Sequence, residues 1–119
     1  MITLAPINVT QGETSTIELI YLENGVGFNF TGWTGSWEIV QDGATVTSWT
    51  LTLTAVGGIS WQFTAAKIEA LDLPDQHRGR ALANTRWIGT ATKAAETMTF
   101  TAAVIVNRAV EYRRSQWTL

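Results

Sequence analysis

The chain has 119 residues and a formal net charge of -2, and its 45% hydrophobic and 15% charged residues fit one folded domain and exclude a disordered chain. This weakly acidic balance supplies no basic field for nucleic acid or an anionic membrane, and the lack of cysteine excludes disulfides and thiolate metal sites. No apolar run approaches the roughly 20 residues of a membrane helix, and the first residues lack a signal-peptide pattern. We therefore expect a protein made in a cytosol and not inserted into a membrane.

The first long predicted strand covers residues 14–22, which are rich in Thr and Ile. Its odd-numbered apolar side chains share one face, whereas Ile20 and Leu22 fall on the opposite face. The strand is therefore either covered on both sides or placed against a partner. Asn24-Gly25 predicts a turn directly after it, because this pair tolerates positive φ.

Two further hairpins are predicted in the middle of the chain. Asp42-Gly43 separates two alternating runs, so residues 45–55 should return antiparallel to residues 33–41. Gly57-Gly58 breaks the alternation again, and residues 59–64 resume it. The three runs are expected to form a meander.

The tryptophans supply most of the expected core. Four of the six share the phase of the aliphatic residues in their own strands: Trp33, Trp37, Trp49 and Trp61. We expect these four to be buried, since alternation places them with Leu51, Leu53 and Ile59 on one face. The phase of Trp87 and Trp117 is less constrained.

A short helix should follow the meander, near residues 65–71, with Thr64 as its N-cap. Two more strands are expected at residues 78–90 and 97–106. About seven short strands with regular turn signals indicate an all-β protein, either an antiparallel sandwich or a small barrel. We assign residues 1–107 to this domain and residues 108–119, which lack clean alternation, to a C-terminal arm.

Residues with catalytic chemistry are few. The single histidine, His77, has Asp72 and Asp75 beside it, and one imidazole with two nearby carboxylates is more simply a solvated turn than a metal or acid/base site. A serine nucleophile would have to use His77 as its base, and nothing in the sequence marks a serine as the partner of His77. No glycine-rich run has phosphate-binding spacing. We expect no catalytic, metal-binding or cofactor-binding residues and no enzyme activity.

Three ordered motifs resemble a family of bacteriophage virion proteins. They are Gly-Glu-Thr at residues 12–14 opening a strand, Phe-Asn-Phe-Thr-Gly-Trp at residues 28–33, and a strand entering Thr-Ala-Ala at residues 64–66. This order is similar to the immunoglobulin-like domain at the N-terminus of phage upper baseplate proteins, and the resemblance implies an antiparallel immunoglobulin-like β-sandwich. The resemblance implies a non-enzymatic structural protein of the tail or baseplate, or less favourably one that decorates the capsid or joins head to tail.

The same resemblance implies location in the virion after synthesis in the cytoplasm of the host bacterium. Partners would be other virion proteins and further copies of the chain in a symmetric assembly, without nucleic acid, membrane or cofactor. Contacts are expected at the N-terminal segment and the C-terminal arm. The interface residues assigned there are Ile2, Leu4, Tyr112, Arg113, Arg114 and Trp117.

The tryptophan content leaves a second function open. A β-sandwich with exposed aromatic side chains could be a carbohydrate-binding module for glycans of the host surface. The location of the tryptophans distinguishes the two hypotheses, because a glycan needs an exposed ring.

Overall fold

The computed structural model describes residues 1–71 and 81–107, which form strands and one short helix. In chain order these elements are β1 Ile2–Thr3, β2 Ile7–Thr10, β3 Ser15–Ile20, β4 Leu22–Glu23, β5 Val26–Gly27, β6 Thr34–Gln41, β7 Ala44–Leu53, β8 Gly58–Phe63, α1 Ala65–Glu69, β9 Thr85–Lys93, β10 Glu96–Ala102 and β11 Val104–Asn107. The predicted arm, residues 108–119, lies outside the described residues, as do His77, Asp72 and Asp75.

One curled sheet of 7 strands, in the order β1-β10-β9-β6-β7-β8-β3, provides both layers of the sandwich. Strand β7 belongs to both layers, because residues 44–51 pair with β6 while Thr52 and Leu53 pair with β8. The layer of β8 and β3 faces the layer of β6, β9 and β10, and Trp61 of β8 stacks on Trp87 of β9 with ring centroids 4.4 Å apart. The predicted all-β immunoglobulin-like fold is confirmed.

The two N-terminal strands pair in parallel, in contrast to the expected all-antiparallel arrangement. Strand β1 pairs with β10, at Ile2 and Phe100, and β2 pairs with β11, at Val9 and Val106. The chain reaches both partners because the strand expected at residues 97–106 is divided at Ala103 into β10 and β11. The alternation predicts the buried face correctly but not the division, since Ala103 does not interrupt it.

Both predicted turn pairs close hairpins. Asp42 and Gly43 adopt φ of 52° and 83° between β6 and β7, as a two-residue turn of the I′ kind requires. Asn24-Gly25 likewise separates β4 from β5. The strand expected at residues 78–90 is found at Thr85–Lys93, because its inward positions after Trp87 are the small residues Gly89 and Ala91. A hydrophobicity pattern does not detect such a face.

The helix begins where the sequence predicts. The Thr64 side chain accepts a hydrogen bond from the Lys67 backbone N–H at 3.2 Å, which satisfies one of the free donors of the first turn. Ile68 is buried and anchors α1 to the core. The cap therefore also fixes where Lys67 stands.

Aromatic rings form the centre of the core. Trp37 of β6 lies 5.5 Å from the ring of Phe63 and 6.4 Å from that of Trp61. A second group lies beside it toward the β4-β5 hairpin: Tyr21, Phe28, Phe30, Trp33 and Phe100. Burial of Trp37 and Trp61 and partial burial of Trp33 agree with the prediction for three of the four tryptophans.

Candidate interface

Trp49 is the tryptophan that the sequence misplaces. It is the cross-strand partner of Trp37 and so projects from the same face of the sheet, yet it is 62% exposed whereas Trp37 is 1% exposed. The facing strand β8 ends at Phe63, where the chain turns into α1. The prediction of a buried Trp49 is wrong because the opposing layer, as far as residues 1–71 and 81–107 form it, does not extend over this part of β7.

A lysine occupies the place of that missing layer. The Lys67 Nζ lies 4.8 Å from the ring centroid of Trp49 and 5.8 Å from that of Trp37. It also donates to the Thr47 hydroxyl at 3.3 Å and to the Ser48 carbonyl at 3.2 Å. These contacts fix the ammonium over the indole, an arrangement that the quadrupole of the ring favours.

An open groove of about 530 Å³ lies beside Trp49. Its lining comprises Ser36, Trp37, Glu38, Ser48, Trp49, Ile88 and Thr90. Glu38 accepts a hydrogen bond from the Thr45 hydroxyl at 3.1 Å. The side chains of Ser36, Glu38 and Ser48 alternate with those of Trp37 and Trp49 and so lie on the opposite face of the sheet. Their hydroxyls and carboxylate are hydrogen-bond partners suited to a polyhydroxylated ligand.

The other prominent surface is the end of the sheet formed by β3. Within the described residues this strand pairs only with β8, so its second edge has no β partner. Thr16, Glu18 and Ile20 are exposed on its outer face. A six-residue edge with free backbone donors and acceptors is a template for a further strand.

Exposed apolar side chains are grouped at one end of this edge. Ile20, Leu22, Val26 and Val56 are between 55% and 73% exposed. The β4-β5 hairpin and the turn after β7 bring them together, since the Tyr21 N–H donates to the Gly57 carbonyl at 2.9 Å. The described residues leave Ile20 and Leu22 exposed, so placement of this face of the strand against a partner stays a prediction.

The assigned interface residues fall into two groups. Ile2 and Leu4 are half-buried and pack against the domain's own core, with the Leu4 N–H donating to the Thr101 carbonyl. Tyr112, Arg113, Arg114 and Trp117 lie outside the described residues. Contacts of all six with other chains stay a prediction. Sequence reasoning did not single out Glu38 or Glu18, because an isolated carboxylate on an alternating strand resembles any solvated position.

Two negative findings concern residues 1–71 and 81–107 alone. No group of three or more His, Asp or Glu side chains in these ranges could hold a metal ion. No helix in them is long and apolar enough to cross a membrane.

Comparison with solved structures supports the fold. The chain is similar to the N-terminal domain of phage TP901-1 ORF48, with a TM-score of 0.54 and 14% sequence identity over 89% of this chain and 95% of that one. It is also similar to the titin M3 domain, with a TM-score of 0.49 and 16% identity over 90% and 93% of the two chains. No protein-family model and no curated protein sequence matches the chain. At 14% identity, the likeness to the phage domain establishes the fold alone.

Proposed function

We propose that the chain is a non-enzymatic structural protein of a bacteriophage particle, and that it belongs to the tail or baseplate. The observation that carries the proposal is the likeness to a phage domain, which extends over 89% of the chain. The three ordered motifs at residues 12–14, 28–33 and 64–66 point to the same class of protein.

The surface of the domain supports an assembly role. Among the described residues strand β3 leaves a sheet edge open, and Ile20, Leu22 and Val26 expose apolar area beside it. Single contacts of this size are weak, but symmetric repetition makes them cumulative. Other virion proteins and further copies of the chain are the proposed partners, without nucleic acid or membrane.

The test is the presence of the chain in purified particles. Particles are released from a bacterial host that carries the coding sequence, banded by density, and analysed by quantitative mass spectrometry. We expect the chain at a fixed copy number that matches the symmetry of tail or baseplate rings. Particles of normal composition without the chain would overturn the proposal, and a copy number equal to that of the major capsid protein would overturn the tail assignment.

Trp49 favours carbohydrate binding as a second candidate function. Its ring is exposed on one face of β7, and the groove on the opposite face contains Glu38. Purified host-surface oligosaccharides are titrated while tryptophan emission is recorded. Binding at the ring requires a saturable emission change that W49F abolishes, and binding in the groove requires one that E38Q abolishes. T97A, on the outer face of β10, should retain either change. No change in the unmodified chain excludes glycan binding at this groove.

A further inference from the structure

Strand β3 lacks the neighbour that an N-terminal strand could supply. Both N-terminal strands lie elsewhere, since β1 pairs with β10 at the opposite end of the sheet and β2 pairs with β11. No backbone hydrogen bond of residues 15–20 other than those to β8 is found in the described part of the chain. The second edge of β3 is therefore that of a regular strand, and no described residue pairs with it.

The charge along this edge is negative. Glu13 precedes β3, Glu18 lies in its middle and Glu23 follows it, and all three are exposed without an ion pair among the described residues. The described cations lie elsewhere: Lys67 contacts Trp49, Arg86 donates to the Thr101 hydroxyl and Lys93 ends β9. A segment that binds this edge should carry positive charge.

Residues 108–119 have that character. They contain Arg108, Arg113 and Arg114 against the single acid Glu111, and they also contain apolar and aromatic residues such as Trp117. A basic segment with apolar side chains matches an acidic edge that ends in exposed Ile20. The twelve residues can span about 40 Å when extended, twice the roughly 20 Å length of a six-residue strand.

The direction of the chain at Asn107 favours a partner molecule over the same molecule. The Gln11 N–H donates to the Asn107 carbonyl at 2.8 Å, so β11 ends beside the turn that leads from β2 to β3. The chain reverses in that turn, where the Glu13 N–H donates to the Thr10 carbonyl. Strand β11 is parallel to β2 and leaves without this reversal. At Asn107, the last described residue, β11 therefore still runs in the direction of β2.

We propose that the β3 edge of one molecule binds residues 108–119 of a second copy as an added strand. The added strand continues the β8-β3 layer through backbone hydrogen bonds, while its arginines pair with Glu18 and Glu23. Its apolar side chains cover Ile20 and Leu22. This inference rests on the proposed function, because it names the contact through which copies of the chain assemble.

Disulfide trapping tests the contact directly, because the chain has no cysteine. A chain with Thr16→Cys is mixed with one carrying Arg113→Cys under mild oxidation. We expect a mixed disulfide several-fold more abundant than with Thr97→Cys, which lies on β10 away from the edge. Equal yields from both mixtures overturn the inference. A chain carrying both Thr16→Cys and Arg113→Cys that closes only within itself overturns it as well.

A charge exchange tests the chemistry. E18K/E23K makes the edge basic, and R113E/R114E makes the terminal segment acidic. Each variant alone should self-associate about tenfold more weakly than the unmodified chain in sedimentation velocity, whereas an equimolar mixture should recover association. E96K, an exposed charge at the β9-β10 turn, is the matched control and should have no effect. Recovery also shows that both variants are folded.

The outcomes separate this inference from the proposed function. A mixture that associates no better than its components overturns the inference, and so does an unmodified chain that stays monomeric at about 1 mM. Neither result bears on particle analysis. Conversely, particles that lack the chain overturn the proposed function while leaving the measured contact in place.

Discussion

Trp37 and Trp49 are cross-strand neighbours of the same residue type on the same face of one sheet, yet one is buried and the other exposed. The rings of Trp61 and Phe63 cover Trp37, whereas the Lys67 side chain contacts Trp49. The alternation of apolar residues alone therefore does not predict burial. Sequence phase decides which face a side chain occupies, and the extent of the opposing layer decides whether that face is buried.

The buried member of the pair belongs to a core that relies on packing. The indole N–H groups of Trp37, Trp61 and Trp87 have no hydrogen-bond partner among the described residues. Each such buried donor costs about 1–3 kcal/mol, which close contact of the rings must offset. Variants that reduce ring contact should therefore weaken this region strongly and leave the Trp49 region almost unchanged.

Replacement of Trp87 should have the largest effect. Trp87→Ala removes the ring that stacks on Trp61 and leaves a cavity, so we expect a loss of about 3–5 kcal/mol in the free energy of unfolding. Trp49→Ala, the matched exposed variant, should lose less than about 1 kcal/mol. Urea denaturation followed by circular dichroism measures both. Equal losses would contradict the comparison.

Gly89 should be the next most sensitive position. The Trp87 ring lies over Gly89, and an added Cβ would overlap its Cζ3 and Cη2 atoms. Gly89→Ala should therefore reduce the free energy of unfolding by about 1–3 kcal/mol. In a Trp87→Phe background the smaller ring makes room, and the same substitution should cost less. A penalty that is identical in both backgrounds would show that the ring is not the cause.

Local sequence signals predict the hairpins and the helix cap because their physics is local. Asp42-Gly43 and Thr64 are found in their expected roles, each through the conformation or hydrogen bonds of a few adjacent residues. Parallel pairing of β1, and the end of cover at Trp49, depend on segments distant in sequence. The open edge of β3 is likewise a property of the whole sheet order, so no pattern within residues 14–22 reveals it.

The cap of α1 provides a smaller effect that reaches Trp49. Thr64→Ala removes the acceptor for the Lys67 N–H and should cost about 1 kcal/mol of stability. Because α1 positions Lys67, the emission of Trp49 should change as well. Thr64→Ser keeps the hydroxyl and should preserve both properties. An unchanged emission in Thr64→Ala would show that Ile68 alone holds the helix in place.

The smallest expected effect is the coupling between Lys67 and Trp49. Lys67→Met removes the charge and also the hydrogen bonds to Thr47 and Ser48, so the single variant does not isolate the ring contact. A double-mutant cycle with Trp49→Leu does, and should give about 0.5–1 kcal/mol, since the site is exposed. A second cycle, of Lys67→Met with Thr47→Val, measures the hydroxyl contact separately. Coupling of zero in the first cycle would mean that the hydrogen bonds to Thr47 and Ser48 alone hold the lysine and that its contact with the Trp49 ring contributes no stability. A positive value would instead identify Lys67 as the substitute for the layer that covers Trp37.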